Sequence, residues 1–220
     1  DWLRESYQEL ELRVAQRTQA LQVSNEVSRS LSNILNLDSL VIQVVEQIQS
    51  RFDYYHVHIY LFDDARENLV LVGGTGEAGA AMLAANHVLA PSQGLVGQAA
   101  SSREVMLIPN VAEAESWLPN PLLPDTRAEI AVPIVIADDV LGVLDVQHHV
   151  ANGLTQMDAD LLQSIANQVA IAVQNARSYQ RVRSQREYEA VASKIGQKIR
   201  LATSVEDVLQ VAARELATAL

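Results

Sequence analysis

The segment AEIAVPIVIADDVLGVLDVQHH, residues 128–149, leaves the chain few folds to choose from. Two runs rich in β-branched and aliphatic residues flank Asp138-Asp139, a pair suited to a tight turn. The segment predicts a hairpin that turns at Asp138-Asp139. Pro133 falls inside its first strand. Proline donates no ladder hydrogen bond, so it marks a bulge or an unpaired stretch of edge. A second strand pair precedes it. YYHVHIYLF (54–62) alternates, DDAREN is turn-like, and LVLVGG (69–74) returns as the partner. VMLIP (105–109) is a further short strand, stopped by Pro109.

Helices frame these strands. In NLDSLVIQVVEQIQSRF, Asn36 is the expected N-cap and Asp38 lies in the first turn. Leu40, Val41, Val44, Val45 and Ile48 then share one face. GLVGQAASS (94–102) reads as a short helix. Thr155 is the expected N-cap of a long closing helix, with Asp158 three residues on as a capping-box variant. Its inward stripe is Leu162, Ile165, Val169 and Val173. After Ala176 the pattern turns polar and charged, as for a helix leaving the domain body. Residues 75–93 are small and Gly/Ala-rich, and are expected to be irregular. Residues 110–126 carry three prolines and Trp117, and predict a long ordered loop over the sheet.

Residues 1–35 hold neither Pro nor Gly. Leu3, Tyr7, Leu10, Val14, Arg17, Leu21, Ser24, Ser28, Leu31 and Leu35 fall at alternating steps of four and three, a heptad seam. An isolated helix would leave this stripe wet, so a homodimer is expected, its seam carried by Leu3, Leu10, Val14, Leu21 and Leu31. Residues 31–48 and 199–216 superpose at a constant offset, with helix breaks at Asn36 and Ser204. This suggests a repeated unit and a tandem array. The chain begins and ends inside helical patterns, so it is expected to be part of a longer protein.

Charge and composition narrow the function. Sixteen basic against 27 acidic residues give a net charge of −11. Such a surface repels phosphate backbones and anionic lipid, so nucleic acid is not an expected partner. The apolar runs are far shorter than the roughly 18 residues of a membrane span, so no insertion is expected. There is no cysteine, which excludes disulfides, thiolate metal sites and cysteine nucleophiles and is compatible with the reducing cytoplasm taken as the expected location.

The chemical motifs are sparse. VGGTGEAG (72–79) matches G-x-G-x-x-G through Gly74, Gly76 and Gly79. A dinucleotide fingerprint needs a βαβ unit and an acidic ribose ligand about 20 residues on. Here the preceding strand is the return arm of a hairpin, and the match is read as accidental. His56 and His58 share a strand face; with His87, His148 and His149 they show no metal spacing and are read as ordinary surface or capped histidines, with no metal site expected. Asp63-Asp64 and Asp138-Asp139 are turn residues. Asp145 interrupts VLGVLDVQ and faces either solvent or a polar spot in a pocket. Trp117 either roofs a small-molecule site or, with Leu118, Leu122 and Leu123, pins its loop to the core. No catalytic constellation is visible.

The order of elements resembles the GAF domain, a sensory module related to PAS domains. GLVGQAASSREVMLIPNV (94–111), AEIAVPIVIADDVLGVLDVQ (128–147) and LTQMDADLLQSIANQVAIAVQNA (154–176) carry the likeness. It covers about residues 27–178. The resemblance implies an α/β (α+β) fold: a GAF/PAS-like central antiparallel sheet, terminal helices on one face, a small-molecule pocket on the other, and long N- and C-terminal helices forming a dimeric bundle or coiled coil. It implies a signalling helix over 1–35, a GAF domain over 36–178, a linker helix over 179–202 and the opening of a second GAF-like domain over 203–220. The flanks resemble sensor modules of bacterial histidine kinases. The expected role is a regulatory sensor and dimerisation module whose output is a kinase or a further GAF domain in the same chain. A purely structural coiled-coil spacer is the alternative. Trp117, Leu118, Asp145, His87 and Tyr60 are the expected pocket residues. Covalent bilin attachment uses a cysteine, which this chain lacks, and the N-K-F-D-E signature of cyclic-nucleotide-binding members cannot be placed, so the cofactor is unknown. Related enzymes that reduce oxidised methionine also need a cysteine, so the segment is expected to be non-catalytic.

Overall fold

The structure, a computed structural model, describes residues 36–115 and 117–201 of the 220. The seam residues Leu3, Leu10, Val14, Leu21 and Leu31, and Ser204 of the repeat, lie outside the described residues. Two compact units divide at Ala176/Arg177.

In the first unit, helix α1 (Leu37–Phe52) leads into strand β1 (His56–Phe62), β2 (Leu69–Gly74), α2 (Gly76–Ala84) and β3 (Val88–Leu89). Helix α3 (Gly94–Ser102), β4 (Met106–Ile108), a 3-10 turn (Val111–Glu113), β5 (Ala128–Ile136) and β6 (Asp139–His148) follow. Helix α4 spans Gln156–Leu201, and its residues up to Ala176 belong to this unit. The strands form one antiparallel sheet in the order β3-β2-β1-β6-β5-β4.

Both faces of the sheet are covered, for reasons written into the side-chain period. Along β1, Val57, Ile59 and Leu61 pack with Leu40, Val44 and Ile48 of α1 and Leu162, Ile165 and Val169 of α4. A helical stripe meets a strand face there, and each fully buried aliphatic side chain contributes roughly 1.5–3 kcal/mol. Tyr60 points to the other face, into a cluster with Met82 of α2, Leu95 and Ala99 of α3 and Val143 of β6. Caps set the helix starts. Asn36 accepts a hydrogen bond from the Ser39 N–H at 3.0 Å. The Thr155 N–H and hydroxyl both donate to Asp158, at 2.8 and 2.7 Å, and Tyr54 donates to the same carboxylate.

Two local expectations are corrected. Residues 75–93 are ordered, as α2 and β3, not irregular. Gly and Ala give this helix little amphipathic signal, so close packing on β2 holds it instead. A Cβ on Gly79 would lie 2.2 Å from the carbonyl carbon of Gly74, so only glycine permits this approach. The glycines of VGGTGEAG thus join a strand to a helix inside an antiparallel meander, with no βαβ unit. The β5–β6 hairpin turns at Ala137-Asp138, since Ile136 pairs with Asp139. A register shift between Ile134 and Val135 moves the turn by one residue, and Ala137 takes a φ of 50°. Pro133 lies beyond the reach of β4, which pairs only with Glu129, Ile130 and Ala131, so no ladder bond on that side is lost.

In the second unit α4 is helical to Leu201. Tyr179, Val182, Tyr188 and Val191 are exposed there, and Arg183 pairs with Glu187 one turn on at 2.9 Å. No helix among the described residues is long and apolar enough to cross a membrane.

The close approach of α2 to β2 predicts that Gly79→Ala costs about 2–4 kcal/mol in urea unfolding. Gly76 has open space and only a positive φ, 63°, so Gly76→Ala costs about 1 kcal/mol. A reversed order would contradict the packing of these two elements.

Candidate functional site

On the face away from α1, the sheet carries a buried polar cluster beside the smaller apolar core of that face. Strand register builds it. His56 stands opposite Gln147 and His58 opposite Asp145 on the β1–β6 pair. Glu129 stands opposite Gln147, and Ala131 opposite Asp145, on the β5–β6 pair. All five polar side chains therefore point to one face. His58 and Asp145 are each 1% exposed and Glu129 is 6% exposed.

These groups are wired together. His58 Nδ1 lies 3.2 Å from Asp145 Oδ2, and Gln147 donates to the same oxygen at 3.0 Å. Thr126 donates to Gln147 Oε1 at 2.6 Å. The Trp117 indole N–H donates to Glu129 Oε2 at 2.7 Å. Tyr60 and His87 are joined at 3.2 Å through the phenol oxygen and Nδ1. His56 Nδ1 lies 3.2 Å from the Thr75 hydroxyl, which also accepts from the Val57 N–H.

Burial sets the charge states. It pushes the Asp145 carboxyl up to about 6 and the Glu129 carboxyl well above its ordinary range, with the neighbouring Asp145 charge adding to the rise at Glu129. Of the two carboxyls, Glu129 is pushed up both by burial and by its neighbour's charge, and it is the one that holds a proton. Burial likewise pushes His56 and His58 down to about 3, with His58 adding to the fall at His56 and His87 to that at His58. The His58–Asp145 contact has the distance of an ion pair, yet burial favours the uncharged imidazole. At neutral pH Nδ1–H therefore donates to an ionised Asp145, which leaves Nε2 as a bare acceptor. His56 Nε2, His58 Nε2 and Asp145 Oδ1 are buried without an N–H or hydroxyl partner.

The cluster floors a cavity of about 120 Å3. His58, Tyr60, Glu129, Asp145 and Gln147 line it from the sheet. Its mouth is formed by Gln93 and by Leu118 and Pro119 of the proline-rich loop, all exposed. Of the residues expected at a pocket, Tyr60, His87, Leu118 and Asp145 line this cavity. Trp117 stands behind it, reaching the site through Glu129. Asp145 faces the cavity rather than solvent, and His56 and His58 are buried members of the cluster rather than surface histidines. Glu129, Gln147 and His58 were not expected. The signal available was the two-residue period, which sets Glu129 as the polar exception in an apolar strand. Among the described residues no group of three or more His, Asp or Glu is placed to hold a metal ion.

A six-stranded antiparallel sheet, with α1 and α4 on one face and α2, α3 and a polar-floored cavity on the other, defines a mixed α/β module built on a single sheet. The sequence profile of the GAF domain family matches residues 35–174, well over half of the chain, and the chain belongs to the GAF domain family, modules of the signalling-sensor type. The GAF domain of an Acinetobacter phosphoenolpyruvate-protein phosphotransferase is similar in structure, with TM-score 0.63 and 20% identity, over 72% of this chain and 94% of that one. The corresponding domain from Coxiella burnetii gives TM-score 0.65 and 17% identity, over 72% and 95%. A free methionine-R-sulfoxide reductase from Neisseria meningitidis, in complex with its substrate, gives TM-score 0.64 and 19% identity, over 72% and 90%. These likenesses concern the fold. No curated protein sequence matches the chain.

The buried groups predict a bell-shaped pH dependence of stability. Asp145 and Glu129 have folded values above their unfolded ones, so their contribution is present below about pH 4 and lost as pH rises through about 6 and beyond. His56 and His58 have folded values below the unfolded 6.5, so theirs is present above 6.5 and lost as pH falls toward about 3. Thermal melts from about pH 3 to 9 should peak in mildly acid solution. Asp145→Asn should flatten the alkaline fall and leave the acid fall in place; an unchanged alkaline slope would contradict a titrating Asp145.

Proposed function

We propose that this chain is a ligand-responsive regulatory module of a multidomain signalling protein, a histidine kinase by preference, that acts as a homodimer in the cytoplasm and has no catalysis of its own. The observation that carries this reading is the polar floor of the cavity. Burying two carboxyls and two uncharged imidazoles costs stability, and a spacer with no ligand gains nothing from them. Perturbed ionisable groups gathered at a cavity are the usual mark of a functional site.

The output element is α4, whose apolar stripe at Leu162, Ile165 and Val169 packs on the reverse face of the same sheet. A ligand that shifts β5 or β6 moves the seat of that helix. Helix packing tends to hold discrete arrangements, so a small displacement becomes a switch when two copies pair. The chain has no cysteine, so the thiol chemistry by which a sulfoxide is reduced is not open to it, despite the shared fold. The charge of −11 agrees with small molecules and protein partners rather than nucleic acid.

Two measurements test the proposal. Light scattering should give twice the mass of the 220-residue chain over a wide concentration range, and a monomer at high concentration would remove the dimer. A thermal-shift panel of bilins, haem, cyclic nucleotides and amino acids should contain a compound that raises Tm by several degrees when well above its Kd. A panel with no stabilising compound would favour the structural spacer.

A further inference from the structure

The cavity has two poles of opposite character. One is the floor, where Asp145 and Glu129 line the cavity from the sheet. Asp145 Oδ1 and His58 Nε2 are buried there with no hydrogen-bond partner. Both are acceptors: the Gln147 amide donates to Asp145 Oδ2, and no donor reaches either of these two atoms. None of the described residues lining the cavity is Lys or Arg.

The other pole is the N-terminus of α3. Gly94, Leu95 and Val96 line the same cavity. The first bond inside the helix runs from the Gly97 N–H to the Gln93 carbonyl, and no side chain caps the end. The N–H groups of Gly94, Leu95 and Val96 are therefore left without an intrahelical acceptor. Together with the helix dipole they favour a negative group.

A bare cation would meet the positive end of α3, and a bare anion would meet two carboxyls. Leu89, Leu95 and Leu118 supply apolar wall between the poles. We propose that the cavity takes a small aliphatic α-amino acid as its zwitterion, with the ammonium group on Asp145 and His58 Nε2 and the carboxylate on the N–H groups that open α3. This rests on the sensor reading and names its ligand class. The ammonium group supplies donors to the two unpartnered acceptors, and the carboxylate supplies the cap that α3 lacks.

The test uses the 220-residue chain and L-valine, with isobutylamine and isovalerate as its two halves, followed by calorimetry and thermal shift. L-Valine should bind and raise Tm, and each half should bind at least about tenfold more weakly. Asp145→Asn should weaken L-valine binding at least about tenfold. Gln93→Asp places a carboxylate at the N-cap of α3, so it should melt higher than the parent chain and yet lose L-valine at least about tenfold. That combination does not arise from damage to the fold. Equal binding of either half overturns the proposal, as does L-valine binding that both variants leave unchanged. If glycine, L-alanine, L-valine and L-leucine all fail while a nucleotide or a tetrapyrrole binds, the ligand class is wrong and the sensor reading stands. If no compound of any class binds, both fall.

Discussion

The register of β1, β6 and β5 decides what the cavity contains. His58 pairs with Asp145 and Asp145 with Ala131, and His56 pairs with Gln147 and Gln147 with Glu129. The same register sends Ile59, Leu144 and Val132 to the opposite face, under α1 and α4. A strand's side chains alternate with period two, so a slip of one residue would exchange the faces. The two acids would then enter the helical core, each at a cost of several kcal/mol. The apolar face, which supplies most of the burial energy, thereby fixes the polar face.

Space at the site follows from the same pairing. The row across the sheet through the His58–Asp145 pair begins at Gly74 and continues to Ala131. Its flanking members are among the smallest residues available, so the imidazole and the carboxylate stand clear of larger neighbours in their own layer. A Cβ on Gly74 would lie 3.2 Å from the His58 ring as well as against Gly79. The stretch that first suggests a phosphate cradle serves a packing end. It brings α2 down onto β2 and leaves room beside His58.

Much of the frame was legible in the sequence because it is local. The faces of α1 and α4, the cap at Asn36, the hairpin arms at 69–74 and the span of α3 all follow from periodicity and capping within a few residues. Helix α2 was not legible. Its Gly/Ala run has no polar–apolar contrast, and the contact that orders it is made with β2. The turn at Ala137-Asp138 was missed by one residue because a bulge in the strand pair, invisible in composition, moves it. The site was half legible. Asp145 stands out as a carboxylate in an apolar strand, but its partner His58 is 87 residues away. The pairing depends on register across strands that one sequence does not reveal. Glu129 is likewise a polar exception in its strand, but that it meets Gln147 and the cavity depends on the same cross-strand register.

Trp117 joins the two halves of the site more closely than either reading of the sequence allowed. It neither fills the apolar core nor touches the cavity; its indole N–H is bonded to a cavity carboxyl. That bond lowers the pKa of Glu129 against the rise caused by burial and by Asp145. Losing that donor would drive the carboxyl further toward its protonated form. The loop that carries Leu118 and Pro119 to the mouth is in this way coupled to β5. Its neighbour β6 presents Leu144 and Val146 to the core that seats α4, and through it a change at the cavity floor reaches the helix face of the sheet.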